Sequence, residues 1–126
     1  MDDHLAETYR SLISISIEFF KALLLINGGS IVAILAFLGQ ASNVQQIAKC
    51  ISFPLGCFVI GTCLSALAFF FSYATQFALF NERISPKEYS GPKHMCFAYF
   101  TAGIAVLSLV AFSVGAFTSI GVLANA

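Results

Sequence analysis

The sequence predicts an all-α integral membrane protein with three transmembrane helices, the first two long enough to extend into the cytoplasm. Of its 126 residues, 59% are hydrophobic and only 10% are charged, against about 25% charged in an ordinary soluble domain. The charges are also segregated. Asp2, Asp3, Glu7, Arg10, Glu18 and Lys21 lie at the start, Lys49 stands alone, and Glu82, Arg83, Lys87, Glu88 and Lys93 form a second cluster. Three uncharged stretches remain, residues 22–48, 50–81 and 94–126. Each exceeds the roughly 20 apolar residues that cross a hydrocarbon core of about 30 Å as a helix.

A chain this apolar with zero net charge is a poor fit to a disordered segment, a conventional soluble enzyme or a nucleic-acid binder with a basic face. Backbone amides in lipid must be paired within the spanning element, which favours helices. A β-barrel needs alternating strands, and runs such as 22–26 and 68–71 are apolar without alternation. The start, residues 1–5, lacks the basic region and small-residue cleavage site of a removable signal peptide, so the first helix is expected to remain as an anchor.

Helix 1 is expected to begin before the membrane. Glu7, Arg10, Ser11, Ser14, Glu18 and Lys21 recur at three- and four-residue steps as one polar stripe, with Leu5, Tyr9, Leu12, Ile13, Ile17, Phe20 and Leu24 on the other faces, an amphipathic pattern. A single membrane domain follows from this reading. Residues 1–21 form a cytoplasmic amphipathic helix continuing into a span at about 20–38, after an uncut start.

Helix 2 is expected to span about 51–73, with Pro54 in its first turn and an extension to 81. Phe77 and Phe80 on that extension would face water unless they packed against Leu5, Tyr9 and Leu12. Residues 82–94, with Pro86, Gly91 and Pro92, read as a cytoplasmic loop. Helix 3 is expected to span about 95–117 and to lose definition after Gly115. Phe19, Phe20, Tyr73, Tyr99 and Phe100 read as aromatic anchors at the inner interface.

Orientation follows from Lys and Arg in the short flanking segments. Arg10, Lys21, Arg83, Lys87 and Lys93 fall on one side and Lys49 on the other. This places the N-terminus in the cytoplasm of an inner or plasma membrane, with the 39–46 loop and the C-terminus outside.

Small residues that let backbones approach are informative in membrane helices. Helix 2 carries Cys57, Gly61, Ser65, Ala68, Ser72 and Thr75 at helical spacing; helix 3 carries Thr101, Ala105, Ser108, Ala111, Gly115 and Ser119. Gly61, Ser65, Ala68, Ser72, Ala105, Ser108 and Gly115 are the expected packing residues. The competing reading lines a pore with the same small and hydroxyl side chains.

Asn27, Gly28 and Gly29 are sharper. Glycine in a helix interior costs about 1 kcal/mol relative to Ala in water. In one reading the helix breaks here and offers carbonyls to an ion or polar ligand. In the other, Asn27 bonds a neighbouring helix and the glycines admit close contact. Glu18 and Lys21, three residues apart, are either a boundary ion pair or a gate.

Cys50, Cys57, Cys63 and Cys96 form no C-x-x-C pair, and His4 and His94 lie outside the spans. No zinc, iron–sulfur or haem site is therefore expected, and no cofactor. No nucleophile, base or carboxylate pair assembles, so no enzyme is expected. The leading expectation is a small self-assembling multi-pass membrane protein, forming an oligomeric channel or pore. The alternative is a non-catalytic accessory or anchor subunit of a larger membrane complex. Its partners would be the lipid bilayer and either further copies or another membrane protein, with no nucleic acid.

Overall fold

The computed structural model describes residues 2–41, 44–84 and 94–124. They form three α-helices: α1 (Asp2–Gln40), α2 (Val44–Ile84) and α3 (His94–Leu123). At 1.5 Å per residue these run about 58, 61 and 45 Å, all longer than a hydrocarbon core of about 30 Å. Each is long and apolar enough to cross a membrane.

The end of α1 has a local cause. Ala41 N donates to Leu38 O at 3.3 Å, the tighter turn that commonly finishes a helix. α2 is described as far as Ile84. Between them, α1 and α2 take five of the eight residues of the expected 39–46 loop, and α2 begins ten residues before Pro54. Pro54 consequently lies inside α2 rather than in its first turn. Proline removes one backbone bond, but ending the helix in an apolar setting would leave several groups unpaired. Pro54 is fully buried, and Ser52 Oγ donates to Lys49 O nearby at 2.9 Å.

The end of α3 also differs from expectation, since helix continues through Thr118 and Ser119 to Leu123. Both hydroxyls fold back onto the helix: Thr118 Oγ1 donates to Val114 O at 2.8 Å and Ser119 Oγ to Gly115 O at 2.8 Å. These residues thus satisfy their own polarity without ending the helix.

The chain runs along α1, returns along α2 and runs back along α3. α2 is central, packing most extensively on α3 and then on α1, while α1 and α3 touch little. The core is layered. One apolar layer comprises Phe20, Leu23, Ala68, Ile104 and Ala105, with Leu64 and Phe71 against it. The other comprises Ile34, Ile51 and Phe58, supported by Ile31, Leu55 and Phe112. Phe20 belongs to this core and is not an interface anchor, whereas Phe19, Tyr73, Tyr99 and Phe100 are exposed.

Within the bundle, only 11%, 22% and 11% of the most apolar windows of α1, α2 and α3 are buried. Leu25, Val32, Phe70, Val106 and Phe117 all point outward. Soluble monomers rarely expose apolar patches above a few hundred Å², so the outward face is built for lipid or another apolar helix.

The expected shielding of Phe77 and Phe80 is absent. Both remain exposed, as does Leu12, and Ala78 is the buried residue of this turn. Tyr9 meets α2 through its hydroxyl, which donates to Gln76 Oε1 at 2.6 Å. The Leu5 side chain lies outside the described ones.

Candidate functional site

Between the two apolar layers, at the mid-height of the predicted spans, the three helices meet through polar atoms. α1 contributes Asn27, α2 contributes Gly61 and Ser65, and α3 contributes Ser108. Asn27, Ser65 and Ser108 are each 0% exposed.

Asn27 Nδ2 donates to Leu23 O at 3.0 Å and reaches Ser108 Oγ at 3.4 Å. The bond to a carbonyl settles which end of the amide is the NH2, because an oxygen there would have nothing to accept. Asn27 Oδ1 is thereby turned toward α2, where it has no hydrogen-bond partner. What it meets is Gly61: a Cβ on that residue would collide with Asn27 Oδ1. The Gly61 Cα–H therefore points at the oxygen, the arrangement of a weak C–H···O contact.

Ser65 Oγ and Ser108 Oγ lie 2.8 Å apart, and each is within reach of Gly61 O, at 2.8 and 2.9 Å. Two hydroxyl protons cannot fill three such contacts at once. More than one arrangement satisfies every donor; in one, Asn27 donates to Ser108, Ser108 to Ser65, and Ser65 to Gly61 O. This chain ties all three helices through one carbonyl. In an apolar interior each of these groups is costly to leave unpaired, so the layer penalises any sliding of one helix against the others.

The residues singled out from sequence separate accordingly. Gly61, Ser65, Ala68, Ala105, Ser108 and Gly115 are buried between helices, and Ser72 is half-buried. A Cβ on Gly115 would meet the Phe58 ring at 3.0 Å. Gly28 and Gly29 differ, because a Cβ on either meets nothing within 4 Å. The helix is unbroken across them, so the carbonyls that a discontinuous helix would free are engaged. The glycine that admits Asn27 is Gly61 of α2.

Glu18 and Lys21 pair with each other, Lys21 Nζ to Glu18 Oε1 at 2.8 Å, with side chains 69% and 58% exposed. They lie on the outer surface of α1. The four cysteines are free, and among the described residues no group of three His, Cys, Asp or Glu side chains could hold a metal.

A clasp between Glu82 and His94 is not evident from either residue's sequence neighbours. Glu82 Oε1 accepts from His94 N at 2.8 Å, and Glu82 Oε2 lies 2.7 Å from His94 Nδ1. The carboxylate thus caps the N-terminus of α3, where its charge also complements the helix dipole. One signal did exist: α3 has no acidic residue in its first turn and is preceded by Lys93, so its cap had to come from elsewhere.

No family model, characterised protein or solved structure shows a significant match to this chain.

Proposed function

We propose that this is a small multi-pass membrane protein that self-assembles through the outer face of α1, any conducting path forming between copies. The observation that carries the reading is the open space at Gly29. Gly29, Ala33 and Ala36 share one side of α1, and all three are exposed. A helix-interior glycine costs about 1 kcal/mol relative to Ala, and the close contact that would offset it is absent within the protomer. Exposed small residues four apart are the pattern by which membrane helices approach one another.

The path is assigned to the assembly because the protomer's own mid-height polar residues, Asn27, Ser65 and Ser108, are fully buried between its helices. The excess of Lys and Arg in the flanks on one side, five against Lys49 alone on the other, favours an N-terminus in the cytoplasm. The exposed Glu18–Lys21 pair would then stand at the inner rim of an assembly, where a gate could act.

Crosslinking in lipid tests this, using A33C in a background with the four native cysteines replaced. Efficient homotypic crosslinks, lost with G29L, together with ion flux in liposomes, are the expected result. A monomer with no crosslink and no flux would sink the proposal. Stoichiometric crosslinking to a different native membrane protein would instead establish the accessory-subunit alternative.

A further inference from the structure

Beside the Tyr9–Gln76 contact, α1 and α2 enclose an open groove of about 420 Å³, walled by Tyr9, Tyr73, Phe77 and Phe80 and ended by Arg83. The geometry points to this groove as a binding site for one anionic phospholipid of the inner leaflet, an assignment that rests on the membrane-embedded reading with the N-terminus inside.

The polar groups of the groove are a donor set. Among the described residues no carboxylate pairs with Arg83. Gln76, which lines the groove, uses its oxygen to accept from Tyr9, which leaves its NH2 as the remaining donor, and Tyr73 is exposed with its hydroxyl available. A phosphodiester is charged, accepts only, and suits such a set. The walls are apolar and aromatic, and they continue along the exposed Phe77 and Phe70 toward mid-height, which gives an acyl chain a track that a soluble anion would not use.

Depth agrees. With the polar layer at the bilayer centre, the rise of α2 puts Tyr73 about 15 Å away and Gln76 about 20 Å away, where headgroups begin. The Arg83 Cα lies about 30 Å out, but side chains tilt toward their helix N-terminus. For α2 that direction leads back to the membrane.

The test uses the full chain in nanodiscs of phosphatidylcholine with an equal share of phosphatidylglycerol, read by the lipid retained in native mass spectrometry. One retained phosphatidylglycerol per chain is expected, reduced at least about fivefold in R83Q and partly restored in R83K. R10Q, which removes an exposed cation outside the groove, should change retention little. Equal loss in R10Q would show diffuse attraction to an anionic surface and overturn the site, as would undiminished retention in R83Q. Displacement by glycerophosphoglycerol, which has no acyl chains, would overturn the lipid assignment in favour of a soluble anion. Failure of the wild-type chain to resist carbonate extraction would reject the membrane reading itself. Failure of the lipid site alone would leave insertion and α1 crosslinking intact.

Discussion

Asn27 of α1 packs its amide oxygen against the Cα–H of Gly61 of α2, in a space that no larger residue at 61 could share. The two positions are therefore coupled, and a double-mutant cycle should reveal it. G61A alone should destabilise by about 1–3 kcal/mol through overpacking. N27A alone should also destabilise, through a cavity and the lost tie to Ser108. The double variant should lose clearly less than the sum. Unfolding by SDS in mixed micelles measures all three, and simple additivity would contradict the contact.

Ser108 and Ser65 are both buried, yet they are not equivalent. Ser65 makes one contact across helices, to Ser108, beside its bond to Gly61 O of its own helix, whereas Ser108 reaches from α3 to both Ser65 and Gly61 O of α2 and receives Asn27 of α1. S108A should therefore destabilise by about 0.6–1.7 kcal/mol, the range of interhelical hydrogen bonds in membrane proteins, and S65A by less. The same unfolding measurement ranks them, and the reverse order would count against Ser108 as the link between helices.

The glycines should divide by their surroundings. G28A and G29A meet open space and should leave the protomer unchanged or more stable, by up to about 1 kcal/mol each. G115A forces a small shift of the Phe58 ring and Cys57 Cβ and should destabilise by about 1 kcal/mol or somewhat more. Comparable losses at all three positions would show that Gly28 and Gly29 are not open within the protomer.

The Glu82 cap makes a prediction at the other end of α3. E82A should lower stability by about 1 kcal/mol, while E82Q, which keeps one acceptor oxygen, should retain part of it. Hydrogen exchange should locate the loss in the first turn of α3. Unchanged protection there would remove the cap from the account.

Orientation can be read with single cysteines in the cysteine-replaced background. Q45C should react with an impermeant thiol reagent added outside intact cells, and I84C only after permeabilisation. The opposite pattern would invert the proposed topology.

Helix number, helix type and the rough extent of each element were legible in the sequence because they depend on local quantities: charge-free length, the absence of alternation and the three-to-four-residue polar stripe of α1. The same logic marked Gly61, Ser65, Ala105, Ser108 and Gly115 as small residues on one side of their helices. It went wrong at Pro54, which lies inside α2 rather than in its first turn, and at 118–123, where a weakly apolar run expected to lose definition stays helical with Thr118 and Ser119 bonding back to the backbone.

Composition could not say which small residue serves which neighbour. Asn27, Gly28 and Gly29 are adjacent and looked like one feature, but successive residues of a helix point about 100° apart. Only the placement of α2 and α3 sends Asn27 inward to Gly61 and Ser108 while leaving Gly29 outward and open. The Glu82–His94 clasp and the Tyr9–Gln76 bond likewise join residues that no periodicity links. The apolar length of each helix, enough to cross a membrane, is thus a sum over residues and readable one segment at a time. The polar layer that holds its helices in register is a property of three helices at once.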